Sequence, residues 1–188
     1  MTHASRPRRS GDLTDIPFFR RLDHSVAEAY GSQAVWLAAA PDELVLDFED
    51  ATNDVFFVIS GRVRVVVRAL GGQELVLTDI AAGSFFGEMA AIDGGPRSAS
   101  VTALVRTRIC KLPGRAFMQL LSQAPELSQD IMRVLVGRIR ELTQRLFELS
   151  HLDIRRRLHA ELLRAAGPPG PQGERFEVEI TGAPSVSL

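Results

Sequence analysis

The residues best equipped for chemistry lie between positions 83 and 101. Gly87-Glu88-Met89-Ala90 is followed by the turn Asp93-Gly94-Gly95-Pro96 and then by Arg97-Ser98-Ala99. These types in this order suit a phosphate and a sugar held side by side. Backbone N–H groups that follow a glycine and open a short helical turn form an anion-binding concavity. An arginine guanidinium adds a charge and a two-pronged donor fork matched to phosphate oxygens. The Ser98 hydroxyl adds one more donor. A Glu88 carboxylate repels a phosphate, so its expected role is to accept from a sugar hydroxyl while its backbone N–H joins the anion site. A hairpin in which Glu88 and Arg97 merely pair at the surface is the plainer reading of the same residues.

Such a segment needs a rigid frame, and the surrounding sequence predicts one made of short strands. Val45-Leu46-Asp47-Phe48-Glu49 alternates apolar and acidic residues, as a half-buried strand does. Val55-Phe56-Phe57-Val58-Ile59 is a short β-prone run. Ser60-Gly61-Arg62 signals a turn, after which Val63, Val65 and Val67 alternate with Arg64 and lead to Arg68. Gly71-Gly72 marks the next turn, Leu75-Val76-Leu77 the next strand, and Ala82-Gly83 a third turn. Residues 101–105 and 107–112 read as two more strands. Strands at this spacing predict an antiparallel sandwich or barrel. Ahead of them, residues 13–40 read as one or two helices. The first patch holds Ile16, Phe18 and Phe19, with Pro17 in a first turn. The alanine-rich stretch 25–40 holds Val26, Tyr30, Val35, Trp36 and Leu37. Strands and helices in separate blocks make an α+β chain.

Phe86-Gly87-Glu88-Met89-Ala90-Ala91-Ile92 with Pro96-Arg97-Ser98-Ala99 resembles the phosphate-binding cassette of cyclic-nucleotide-binding domains. The nine-residue step from Glu88 to Arg97 fits as well. The likeness extends to residues 57–63 and 74–83. It implies a jelly-roll-like double-stranded β-roll over residues 13–125. It also implies a ligand-binding set of Gly87, Glu88, Met89, Ala90, Arg97 and Ser98. Leu77 is implied on the apolar wall beside a purine, a place that an ordinary core leucine also fits. Cyclic AMP is the implied ligand. Cyclic GMP stays open, because a hydroxyl at Ser98 also suits a guanine amino group. No prosthetic group is implied.

Beyond the strands, residues 115–122 suggest a short helix, and Pro125 opens a long one. Met132, Leu135, Ile139, Leu142, Leu146 and Leu149 recur at alternating steps of three and four. That is the a/d stripe of a two-helix seam. It is narrower than the face of a helix lying on a sheet, so residues 126–150 are expected to pair in a homodimer. Resemblance to Crp/Fnr-type regulators places this helix over the base of the nucleotide. It implies Thr143, at an e position, as a purine contact and Arg138, at a g position, as a residue reaching the ligand. Solvated flanking side chains are the plainer alternative for both.

Bulk properties narrow the function further. The 188 residues suffice for one domain and an appendage. A net charge of −1 provides no global field toward nucleic acid or membrane. The single cysteine, Cys110, excludes an internal disulfide and a four-thiolate iron–sulfur cluster. No apolar run approaches the ~18 residues of a membrane-spanning helix. Residues 1–12 read as a disordered basic arm rather than a secretory signal, so a cytoplasmic location is expected. His3, His24, His151 and His159 all lie away from the cassette. No Ser–His–Asp or Cys–His set has usable spacing, and no third ligand joins His151 and His159 in a metal site. An enzyme is therefore not expected.

Crp/Fnr-type regulators continue into a winged helix-turn-helix, and residues 151–188 read as a truncated remnant of one. Residues 153–163 suit its first helix and residues 176–181 the strand leading into the motif. Seven residues follow, whereas a helix-turn-helix needs roughly 20 and reads bases with its second helix. Nine arginines face nine carboxylates from Glu126 onward, with Arg155-Arg156-Arg157 the one basic cluster. The expected function is a cyclic-nucleotide sensor acting on a dimer helix. The alternative is a DNA-binding transcriptional regulator whose reading motif is missing or degenerate in this chain, and DNA binding by the chain alone is doubtful.

Overall fold

The computed structural model describes residues 11–68 and 74–151, together with Leu162. Most of the expected basic arm and of the expected winged-helix remnant lies outside the described residues. The chain forms two compact units, one up to Asp130 and one from Ile131.

The first unit is built on two antiparallel four-stranded sheets. The strands are β1 (Val35–Ala39), β2 (Leu44–Leu46), β3 (Val55–Ser60), β4 (Arg62–Arg68), β5 (Glu74–Ala81), β6 (Phe85–Phe86), β7 (Ser100–Ala103) and β8 (Thr107–Leu112). One sheet has the order β1-β8-β3-β6 and the other β2-β7-β4-β5. This is the jelly-roll-like β-roll that the resemblance implies. Among the described residues the helices are α1 (His24–Gly31), α2 (Glu88–Asp93), α3 (Gly114–Gln123) and α4 (Pro125–His151). Two 3-10 turns, Leu13–Asp15 and Pro17–Phe19, precede them.

Helix is expected through residues 13–40, and the structure differs over part of that range. The alanine-rich stretch 25–40 is not helical throughout. Helix α1 ends at Gly31, and Val35–Ala39 is strand β1, paired along its whole length with β8. Alanine favours helix locally, but pairing along β8 decides the matter. Such tertiary override is common in short segments.

The apolar run of β3 is buried on both faces, as a strand without polar alternation must be. Phe56 and Val58 enter the interior of the roll with Val45, Leu46, Val63, Val101 and Ile109. Phe57 belongs to an aromatic group with Phe18, Phe19, Phe85 and Phe117. Helix α3 and the turn at Pro17–Phe19 are thereby tied to the sheet. The chain passes from β3 in one sheet to β4 in the other through a turn at Gly61, with φ of +92°. A Cβ at Gly61 would stand 2.5 Å from the Thr107 hydroxyl, so glycine is required for space as well as for φ.

Candidate functional site

Strand β6 pairs with β3 through Phe56 and Phe86, whose rings stack at 5.0 Å. The pairing stops after two residues because the chain turns at Gly87, with φ of +81°, into α2. The register brings the Gly87 and Asp54 main chains together where the sheet ends. A Cβ on Gly87 would lie 2.9 Å from the Asp54 carbonyl oxygen. Helix α2 runs to Asp93 and closes at Gly94, with φ of +70°. The Asp93 carboxylate then accepts from the Gly95 N–H at 2.8 Å and shapes the turn that returns the chain to Arg97.

Arg97 fills the gap where the two carbonyls meet. Its Nη1 donates to the Gly87 carbonyl at 2.8 Å. Its Nη2 donates to the Asp54 carbonyl at 2.9 Å and to the Thr52 hydroxyl at 3.1 Å. Its Nε is buried and has no hydrogen-bond partner among the described residues. The guanidinium carbon also stands 5.8 Å from the centre of the Phe56 ring, within cation–π reach. Arg97 is only 6% exposed, yet among the described residues no carboxylate stands within ion-pair distance. Burial pulls its pKa below the ordinary arginine value, against the opposing pull of Asp54, Asp50 and Glu88. A buried cation without a bonded counter-anion is costly and calls for an anion. Asp54 does not provide it, because its carboxylate pairs with Lys111 Nζ at 3.0 Å.

The loop between β2 and β3 braces this arrangement. Ser100 is buried at the start of β7, and its hydroxyl donates to Asp47 at 3.1 Å while accepting from the Phe48 N–H at 3.2 Å. Both ends of the loop that carries Thr52 are thereby held, one by Ser100 and one by β3.

The structure brings Gly87, Glu88, Met89, Ala90, Arg97 and Ser98 together around helix α2 and the turn that follows it. Glu88 is 3% exposed and Ala90 is buried, whereas Met89 is half exposed. The surface-pair reading of Glu88 and Arg97 fails, because both are buried and the arginine donates to main-chain carbonyls and a hydroxyl. Ser98 lies on the surface with its hydroxyl 3.6 Å from the Met89 sulfur. It lines a shallow cleft with Phe48, Val67, Arg68 and Ala99. Leu77 is the extra residue of a β-bulge on β5, between the pairs Val65–Thr78 and Val66–Val76. Bulges re-aim side chains, and Leu77 is half-buried there. Arg138 and Thr143 lie on α4 in the second unit, where the Thr143 hydroxyl donates to the Ile139 carbonyl at 2.9 Å. Sequence reasoning missed Thr52, Asp54 and Phe56. They lie more than 40 positions before the arginine they hold, and only the β3–β6 register reveals them.

Among the described residues no group of His, Cys, Asp and Glu could hold a metal ion, and no helix is long and apolar enough to cross a membrane. Residues 37–124 match the family model of the cyclic nucleotide-binding domain. A CRP-like cAMP-activated global transcriptional regulator of Mycobacterium tuberculosis is 32% identical over 133 residues, covering 71% of this chain and 56% of the relative. The cyclic AMP receptor protein of Thermus thermophilus is 34% identical over 115 residues, covering 61% and 53%. The chain thus spans about half the length of these relatives. Among solved structures, the Thermus thermophilus catabolite activator protein superposes with a TM-score of 0.61 at 29% identity, over 71% of this chain and 63% of that one. A CooA variant from Carboxydothermus hydrogenoformans reaches 0.70 at 24% identity, over 92% and 74%, and attests the fold. Fold, cassette and sequence agreement together show that the chain carries a cyclic nucleotide-binding domain, homologous to that of the cAMP-activated, CRP-like members of the Crp/Fnr family.

Proposed function

We propose that this chain is a ligand sensor that binds cyclic AMP in preference to cyclic GMP. The observation that carries the reading is Arg97, a buried guanidinium whose hydrogen-bonded partners among the described residues are all neutral oxygens. It meets the cyclic phosphate, together with the N–H groups that open α2. Glu88 accepts from the ribose 2′-hydroxyl, and Leu77 and Ser98 border the base. The resemblance to Crp/Fnr-type regulators further implies Arg138 and Thr143 as ligand contacts. The relatives' names favour cyclic AMP and an output in transcription. The exposed apolar stripe of α4 supports a homodimer as the element that the ligand controls. A ligand shifts such an element only through its different affinity for two arrangements.

Calorimetric titration of the full chain with cyclic AMP and cyclic GMP tests the reading. Saturable binding, tighter for cyclic AMP, is expected. Arg97→Ala removes it, and Glu88→Ala weakens it at least about tenfold, since each takes away charge-assisted hydrogen bonds. No heat and no melting shift with either nucleotide at millimolar concentration ends the proposal.

A further inference from the structure

We infer that Thr52 sets the affinity of the phosphate site by occupying a guanidinium N–H that a bidentate phosphate must take. The inference rests on the cassette being a phosphate site, and it concerns a residue outside the cassette.

A guanidinium presents paired N–H groups along two edges, Nε with Nη2 and Nη1 with Nη2. Both edges use Nη2. In this protein Nη2 already has two acceptors for its two hydrogens, the Asp54 carbonyl at 2.9 Å and the Thr52 hydroxyl at 3.1 Å. A two-pronged phosphate contact must therefore displace one of them. The Asp54 carbonyl sits at the entry to β3, whose register with β6 and β8 fixes the main chain. The Thr52 hydroxyl sits on one rotatable bond of an exposed loop residue, and water can satisfy it after it turns away. Thr52 is the acceptor that yields.

The Nε/Nη2 edge carries a second indication. Nε is buried and lacks an acceptor among the described residues. A phosphodiester with two non-bridging oxygens placed on this edge satisfies Nε and replaces the Thr52 hydroxyl in one step. The Thr52 hydroxyl thus stands as a neutral substitute for one phosphate oxygen. That substitute lowers the affinity of a site that would otherwise hold an unsatisfied buried donor.

The test compares wild type, Thr52→Val and Thr52→Ser as full chains, by titration with cyclic AMP and by thermal melting with and without it. Thr52→Val keeps the side-chain shape and removes the acceptor. It is expected to bind about three- to tenfold more tightly, to melt lower without ligand, and to show a larger ligand-induced rise. Thr52→Ser keeps the acceptor and is expected to behave as wild type. A folded Thr52→Val protein with wild-type or weaker affinity overturns the inference, as does a Thr52→Ser protein that tightens equally. A merely structural role cannot strengthen binding while weakening the free protein. If wild type binds neither cyclic AMP nor cyclic GMP, the phosphate-site reading itself falls, an outcome distinct from a silent Thr52→Val.

Discussion

Gly87 and Arg97 are in mutual contact across the cassette: the Gly87 carbonyl accepts from Arg97 Nη1 at 2.8 Å, and a Cβ on Gly87 would stand 2.9 Å from that same nitrogen. The glycine thus serves three needs at once. It takes a φ of +81°, it leaves room for the guanidinium, and it offers that guanidinium an acceptor.

Gly87→Ala is therefore expected to damage the site twice. The left-handed backbone costs a residue with a Cβ roughly 1–2 kcal/mol, and the Cβ also meets the Asp54 carbonyl at 2.9 Å and Phe56 at 3.2 Å. We expect a loss of about 2–4 kcal/mol of stability and at least about tenfold weaker cyclic-nucleotide binding, read by urea unfolding and calorimetry. Gly87→Asn separates the causes, because asparagine tolerates the left-handed region but still brings the Cβ. Equal damage in both variants assigns the effect to the contact. Wild-type stability and affinity in Gly87→Ala would remove the contact from the account.

How far the sequence revealed this site depends on how local each interaction is. Gly87, Glu88, Arg97 and Ser98 lie within one short segment, and their types and order announce an anion and a sugar. The strands that bear them were legible from valine alternation and glycine turns. Residues 107–112 form β8 as expected. The partners of Arg97 were not legible. Thr52 and Asp54 act through a hydroxyl and a main-chain carbonyl, and neither type is chemically marked in an acidic loop. Strand β6, only two residues long, offered no period to detect. The misread stretch at Val35–Ala39 has the same origin, since its pairing with β8 spans about seventy positions.

Cys110 is fully buried on β8, and burial pushes its thiol pKa up from 9.0 to about 12. The thiolate is the reactive form. The native protein is accordingly expected to resist Ellman's reagent at pH 8 and to release one full equivalent on unfolding. The linkage has a definite sign. The folded thiol keeps a proton that the unfolded chain releases above pH 9, so this residue's contribution to stability falls as pH rises from about 9 to about 12. One proton contributes at most about 1.4 kcal/mol per pH unit to that slope. Unfolding midpoints measured from pH 8 to 11 should fall more steeply in wild type than in Cys110→Ala. Fast modification of the native protein, or identical slopes, contradicts the burial argument.

The stripe on α4 supplies the last test. Met132, Ile139, Leu142 and Leu146 are between 56% and 67% exposed, and Leu135 on the same stripe is half-buried. The side chain of Leu149, the sixth member expected, lies outside the described residues. Four large apolar side chains left in water at a/d spacing are unfavourable in a monomer. Burying each stabilises by roughly 1.5–3 kcal/mol, which favours pairing with a second copy of the same helix. Val136, 46% exposed at an e position beside the seam, widens the apolar surface available to that copy. Light scattering on a sizing column is expected to give twice the mass of one chain at micromolar concentration. Ile139→Asp and Leu142→Asp place a carboxylate in the seam. Since both positions are exposed within one chain, these variants are expected to melt as folded monomers. A wild-type monomer at that concentration rules out the seam and leaves the cassette without the element proposed to respond to it.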